Sequence, residues 1–131
     1  MAQGQSEEAV TMLKRSLELQ RDPETHFNLA AAYLGMIENH AAEEQLDAAI
    51  ALRPYMAVAW KYKATIFVAT GVFTEARDAF VRSLQFEPLD NSVYNELVTL
   101  LHQIGEHSEA ERYQEIGMRL SKSMVQSPVP N

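Results

Sequence analysis

Apolar residues recur along this chain at helical spacing. Trp60, Ala64, Phe67 and Val68 step by four, three and one, which is one face of a helix turning every 3.6 residues. After Thr70-Gly71, a second apolar set follows in Phe73, Ala76, Ala79, Phe80, Leu84 and Phe86. No stretch alternates with the period of two that a half-buried strand requires. The pattern predicts an all-α chain of about seven helices, near residues 6–20, 24–37, 40–53, 57–70, 74–87, 91–104 and 108–123. The links between them are short, so consecutive helices are expected to pack antiparallel.

The pattern also repeats. Ala30, Ala64 and Val98 are spaced by 34 residues, as are Tyr33, Phe67 and Leu101, and Ala42, Ala76 and Ala110. Pro54 and Pro88 keep the same interval. Period and order together indicate stacked helix pairs, none of which can bury its apolar face alone.

Local signals place the helix ends. Asp22-Pro23-Glu24 reads as a cap followed by a first-turn proline. Thr70-Gly71 suits a helix end and a tight turn. Thr74, Ser6 and Ser108 are expected to cap the helices they precede, the last with Glu111 at capping-box spacing. Pro54 and Pro88 are expected to stop the helices ahead of them. The tail with Pro128 and Pro130, residues 125–131, is expected to be disordered.

These anchors resemble the tetratricopeptide repeat, a helix-turn-helix of 34 residues. Residues 57–90 carry the pattern best, with Trp60, Ala64, Phe67, Ala76, Phe80, Ser83 and Pro88. Residues 23–56 offer Leu29, Ala30, Tyr33, Ala42, Leu46, Ala49 and Pro54, with His26 in the first aromatic slot. Residues 91–124 diverge: Tyr94, Leu97, Ala110 and Gly117 fit, while Val98, Gln114 and Lys122 do not. Residues 4–22 match only a second helix, through Ala9, Leu13 and Ser16. The resemblance implies three full repeats plus a leading half-repeat, coiled into a right-handed superhelix with a concave inner face.

Composition narrows the chemistry. The 131 residues are 47% hydrophobic and 22% charged, enough for a folded core. There is no Cys, which removes disulfides and thiolate sites. A net charge of -7 speaks against nucleic acid and anionic membrane surfaces as partners. No apolar run is long enough to span a bilayer, and the default expectation is a cytoplasmic module. His102 and His107 form the only local histidine pair, but Gly105 breaks the helix between them, so no metal site is expected. No cofactor loop and no catalytic constellation is visible, and the chain is read as a non-enzyme. His26 is expected to pack rather than to ligate.

By resemblance, the first helix of each pair lines the groove that meets a partner protein or peptide. The candidate contact residues are Phe27, Asn28, Ala31 and Leu34, then Val58, Lys61, Tyr62 and Thr65, then Asn95, Glu96 and Thr99. Phe27 and Tyr62 would serve as apolar anchors, Asn28 and Asn95 as readers of a peptide backbone, and Lys61 as a charge selector. A carboxylate clamp for a heat-shock chaperone tail is disfavoured, because Val58 and Tyr62 stand where that subclass needs Lys and Arg. Two further readings remain open. One is self-association through an uncovered strip on the leading helix, Val10, Leu13 and Leu17. The other is an interaction module attached to an enzyme in a longer chain.

Overall fold

The structure is a computed structural model that describes residues 3–19 and 21–125. It is a row of seven helices: α1 (Gln3–Leu19), α2 (Pro23–Gly35), α3 (Asn39–Leu52), α4 (Ala57–Ala69), α5 (Phe73–Phe86), α6 (Asn91–Gln103) and α7 (His107–Val125). No strand occurs among the described residues. The helices pair as α2–α3, α4–α5 and α6–α7, with α1 against α2, and the pairs stack in chain order. This is the expected right-handed solenoid of antiparallel pairs. The expected disordered tail begins too early, since α7 continues to Val125; residues 126–131 of that expectation lie outside the described residues.

The turn inside each pair is one motif used three times. The N–H of Glu38 bonds to the carbonyl of Tyr33 at 2.9 Å, Val72 to Phe67 at 2.9 Å and Glu106 to Leu101 at 2.8 Å. These are the long bonds of a Schellman-type C-cap, which needs one residue in the left-handed region. That residue is Ile37 at φ 58°, Gly71 at φ 78° and Gly105 at φ 85°. The carbonyls of Glu38, Val72 and Glu106 then accept from Ala42, Ala76 and Ala110 and open the next helix.

This motif corrects the expected caps. Thr74 lies inside α5, whose N-cap is Val72 without a side-chain bond. Ser6 lies within α1 and is fully buried, and Ser108 follows the first residue of α7. Ahead of Thr74 and Ser108 the link is too tight for a side-chain cap, because one backbone unit both ends one helix and starts the next. Asp22 does cap α2: its carboxylate accepts from the Thr25 N–H and hydroxyl, both at 2.8 Å. Asp90 caps α6 by accepting from the Ser92 N–H at 3.0 Å.

Between pairs, the first aromatic of one repeat ties back to the proline of the repeat before. Trp60 Nε1 donates to the Pro54 carbonyl and Tyr94 Oη to the Pro88 carbonyl, each at 2.9 Å. Proline ends the helix and leaves a free acceptor where the next repeat arrives. In the first repeat His26 takes the aromatic place. It is buried, and its Nδ1 lies 2.7 Å from Gln45 Oε1, which satisfies the polar ring inside the stack. It packs, as expected.

Small residues let the helices touch. Ala30, Ala42, Ala49, Ala59, Ala64, Ala76 and Ala110 are fully buried. The largest apolar cluster joins α4 to α7 through Phe80, Val93, Leu97, Leu100 and Leu101. A smaller one joins α1 to α2.

Candidate functional site

The first helices α2, α4 and α6 lie side by side along one face. Two contacts fix their order. The rings of Phe27 and Tyr62 meet at a centroid distance of 4.9 Å, tilted by 54°. Lys61 of α4 reaches the α6 cap, bonding the Ser92 hydroxyl and lying 3.6 Å from Asp90 Oδ2.

The candidate contact residues therefore separate into two groups. Asn28, Ala31, Val58, Thr65, Asn95, Glu96 and Thr99 are exposed on this face. Phe27, Leu34 and Tyr62 are half-buried against the cluster around Leu46 and Met56. They fill the seam between repeats as well as edging the groove. Lys61 is engaged with Asp90, so the charge selector expected from sequence is already neutralised within the fold. Partial burial works against the Asp90 charge, but the Ser92 hydrogen bonds and the Lys61 charge prevail and hold its carboxyl below the usual value.

Between α4 and α6 the face deepens into a cleft of about 280 Å³. Val68, Phe80 and Leu100 form its apolar floor, and Thr65, Asn95, Glu96, Thr99 and Gln103 form its rim. Four of those rim residues, Thr65, Asn95, Glu96 and Thr99, are expected contact residues. Phe80 was not among them, because it read as a core anchor, and Leu100 carried no signal that set it apart. Gln103 was also absent, although Glu96, Thr99 and Gln103 follow one line along α6. The Thr65 and Thr99 hydroxyls donate back to the carbonyls of Lys61 and Asn95, at 3.1 and 2.9 Å.

A second, larger groove of about 580 Å³ runs between α6 and α7, along Tyr94, Val98, Gln114, Gly117, Met118 and Lys122. Gln114 and Lys122 are exposed, consistent with a polar outer surface, but Met118 beside them is 55% exposed.

At the other end, the strip Val10, Leu13 and Leu17 is not uncovered. Val10 is buried, and Leu13 and Leu17 are half-buried against Leu29 and Ala32 of α2. The helix packs its apolar stripe on the next helix and leaves Met12 72% exposed.

His102 and His107 approach with their Nδ1 atoms 2.7 Å apart across the Gly105 turn. No third ligand joins them, since no group of three or more His, Cys, Asp or Glu able to hold a metal occurs among the described residues. No helix among the described residues is long and apolar enough to cross a membrane.

No protein-family model and no curated protein matches the sequence. Solved structures do match the fold. MamA superposes with a TM-score of 0.85 at 20% identity, over 96% of this chain and 69% of that one. The first TPR of Spaghetti (RPAP3), bound to the HSP90 peptide SRMEEVD, gives 0.73 at 24% identity, over 78% and 82%. PilF of Pseudomonas aeruginosa gives 0.80 at 22% identity, over 92% of this chain and 55% of that one. With its 34-residue phase, its paired helices and its repeated turn, this chain has the tetratricopeptide-repeat fold.

Proposed function

We propose that the chain is a non-catalytic interaction scaffold that holds a peptide segment of a partner protein along the face of α2, α4 and α6. The observation that carries this reading is the cleft between α4 and α6, apolar at its floor and polar at its rim. Its size lies near the lower end of ligand sites, which run from about 300 to 1,000 Å³. It suits one or two side chains of an extended segment. Asn95 stands exposed on its rim and Asn28 is exposed on α2, each with both donors and acceptors for a peptide backbone. The RPAP3 neighbour holds a peptide, which supports the mode of use. Its acidic peptide is not carried over, because Lys61 is bound to Asp90 and no clamp of cations faces this groove.

A photo-cross-linking amino acid at Thr99, compared with one at Glu44 on α3, tests the reading in lysate. Partner cross-links are expected at Thr99 and not at Glu44, and Thr99→Trp, which fills the cleft, abolishes capture of the same partner without changing the melting temperature. Equal cross-linking at both positions would sink the groove assignment.

Self-association through α1 has less support, since its apolar stripe is covered by α2. It predicts a mass that rises with concentration in light scattering and falls on Met12→Glu.

A further inference from the structure

The proposed groove carries an uneven balance of charge. The only Lys or Arg side chains on its three helices are Lys61 and Lys63. Lys61 is held by Asp90 and Ser92. Lys63 turns to the neighbouring α3, where its Nζ lies 2.6 Å from Asp47 Oδ1 and stands over the Trp60 and Phe67 rings. Both ammonium groups are therefore neutralised inside the stack. The acids of these helices are Glu24 and Glu96. Glu24 pairs with Arg53 at 3.3 Å. Glu96 is exposed on the cleft rim and has no ion pair among the described residues.

Resting on the groove reading, we infer that the α4–α6 cleft selects a peptide with an apolar side chain flanked by a cationic residue. The apolar group sits on Val68, Phe80 and Leu100, and the cation meets the Glu96 carboxylate. An acidic segment finds no free cation on this face and one repelling carboxylate. The chain's net charge of -7 adds a long-range bias in the same direction. An exposed pair contributes up to about fivefold in affinity, and replacing attraction by repulsion roughly doubles the energy, so an Arg-flanked peptide should outbind its Glu-flanked counterpart by up to about 25-fold.

The test is a random dodecamer display library panned against the intact chain, Glu96→Gln, Glu96→Lys and Thr99→Trp, each first checked for unchanged thermal melting. Wild type is expected to enrich apolar residues next to Arg or Lys. Glu96→Lys should shift the neighbour to Asp or Glu, and Glu96→Gln should weaken the selected peptides about fivefold in fluorescence anisotropy, with the wild-type preference fading at high salt. Peptides that Thr99→Trp abolishes but that carry no cation, or carry acids, overturn the charge inference and leave the groove reading standing. If no enriched peptide is lost with Thr99→Trp, the groove reading falls and this inference with it.

Discussion

Ile37 holds the turn position that Gly71 and Gly105 fill in the later repeats, and a β-branched residue there is strained. Its side chain is 82% exposed, so little packing compensates. Ile37→Gly is expected to stabilise the chain by about 0.5–1 kcal/mol, the left-handed strain removed less the added freedom of glycine in the unfolded chain. A lower urea midpoint for Ile37→Gly would contradict that. The capping carboxylates act at the same scale. Hydrogen bonds from the Thr25 N–H and hydroxyl hold the Asp22 carboxyl below its usual value, and Asp90 is lowered as well. Their stabilisation is present above the unfolded carboxylate value of about 3.9 and is lost as pH falls through the lower folded values. Asp22→Ala and Asp90→Ala should therefore lower the melting temperature at neutral pH, and the gap to wild type should close in strong acid.

Helix crossings depend on which residues stay small. Gly117 of α7 sits against Tyr94, and a methyl group there would meet Tyr94 Cβ at 3.1 Å and Cγ at 3.2 Å. Tyr94 cannot retreat easily: its Cβ is fixed to α6 and its hydroxyl is tied to Pro88. Gly117→Ala would gain about 1 kcal/mol of helix propensity, yet overpacking costs about 1–3 kcal/mol. The net expectation is a less stable protein, by about 1 kcal/mol, read from the denaturation midpoint. All seven helices were legible from apolar spacing, with boundaries within three residues of those observed at every end. The caps at Ser6, Thr74 and Ser108 were misread because polar residues near a helix start look alike in sequence. Only the backbone bonds around Val72 and Glu106 show that each turn is already closed without them.

The described residues are held mainly by contacts between helices adjacent in sequence. Stability in such a stack is close to a sum of local terms, so its ends open before its middle. The largest cluster spans α4 to α7, whereas α1 is held by Val10, Leu29 and Ala32 with their partly buried neighbours. Hydrogen exchange should accordingly be fastest in α1 and slowest in the α5 and α6 segments around Phe80, Leu97 and Leu101. Uniform protection along the chain would show instead that it opens as a single unit.

Periodicity alone determined the helices, their pairing and their order, because burial at 3.6 residues per turn and recurrence every 34 residues are one-dimensional properties. The resemblance to the tetratricopeptide repeat, rather than periodicity, implied that Asn95, Glu96 and Thr99 line the inner face. Only the tertiary structure decided which side chains that face leaves free. Lys61 read as an available charge until Asp90 was seen beside it. Val10, Leu13 and Leu17 read as an open strip until α2 covered them. Ile37 read as part of a helix until the chain was seen to turn through it. Each outcome rests on which residues meet across helices, and side-chain neutralisation, coverage and backbone strain are set by that meeting rather than by spacing along the chain.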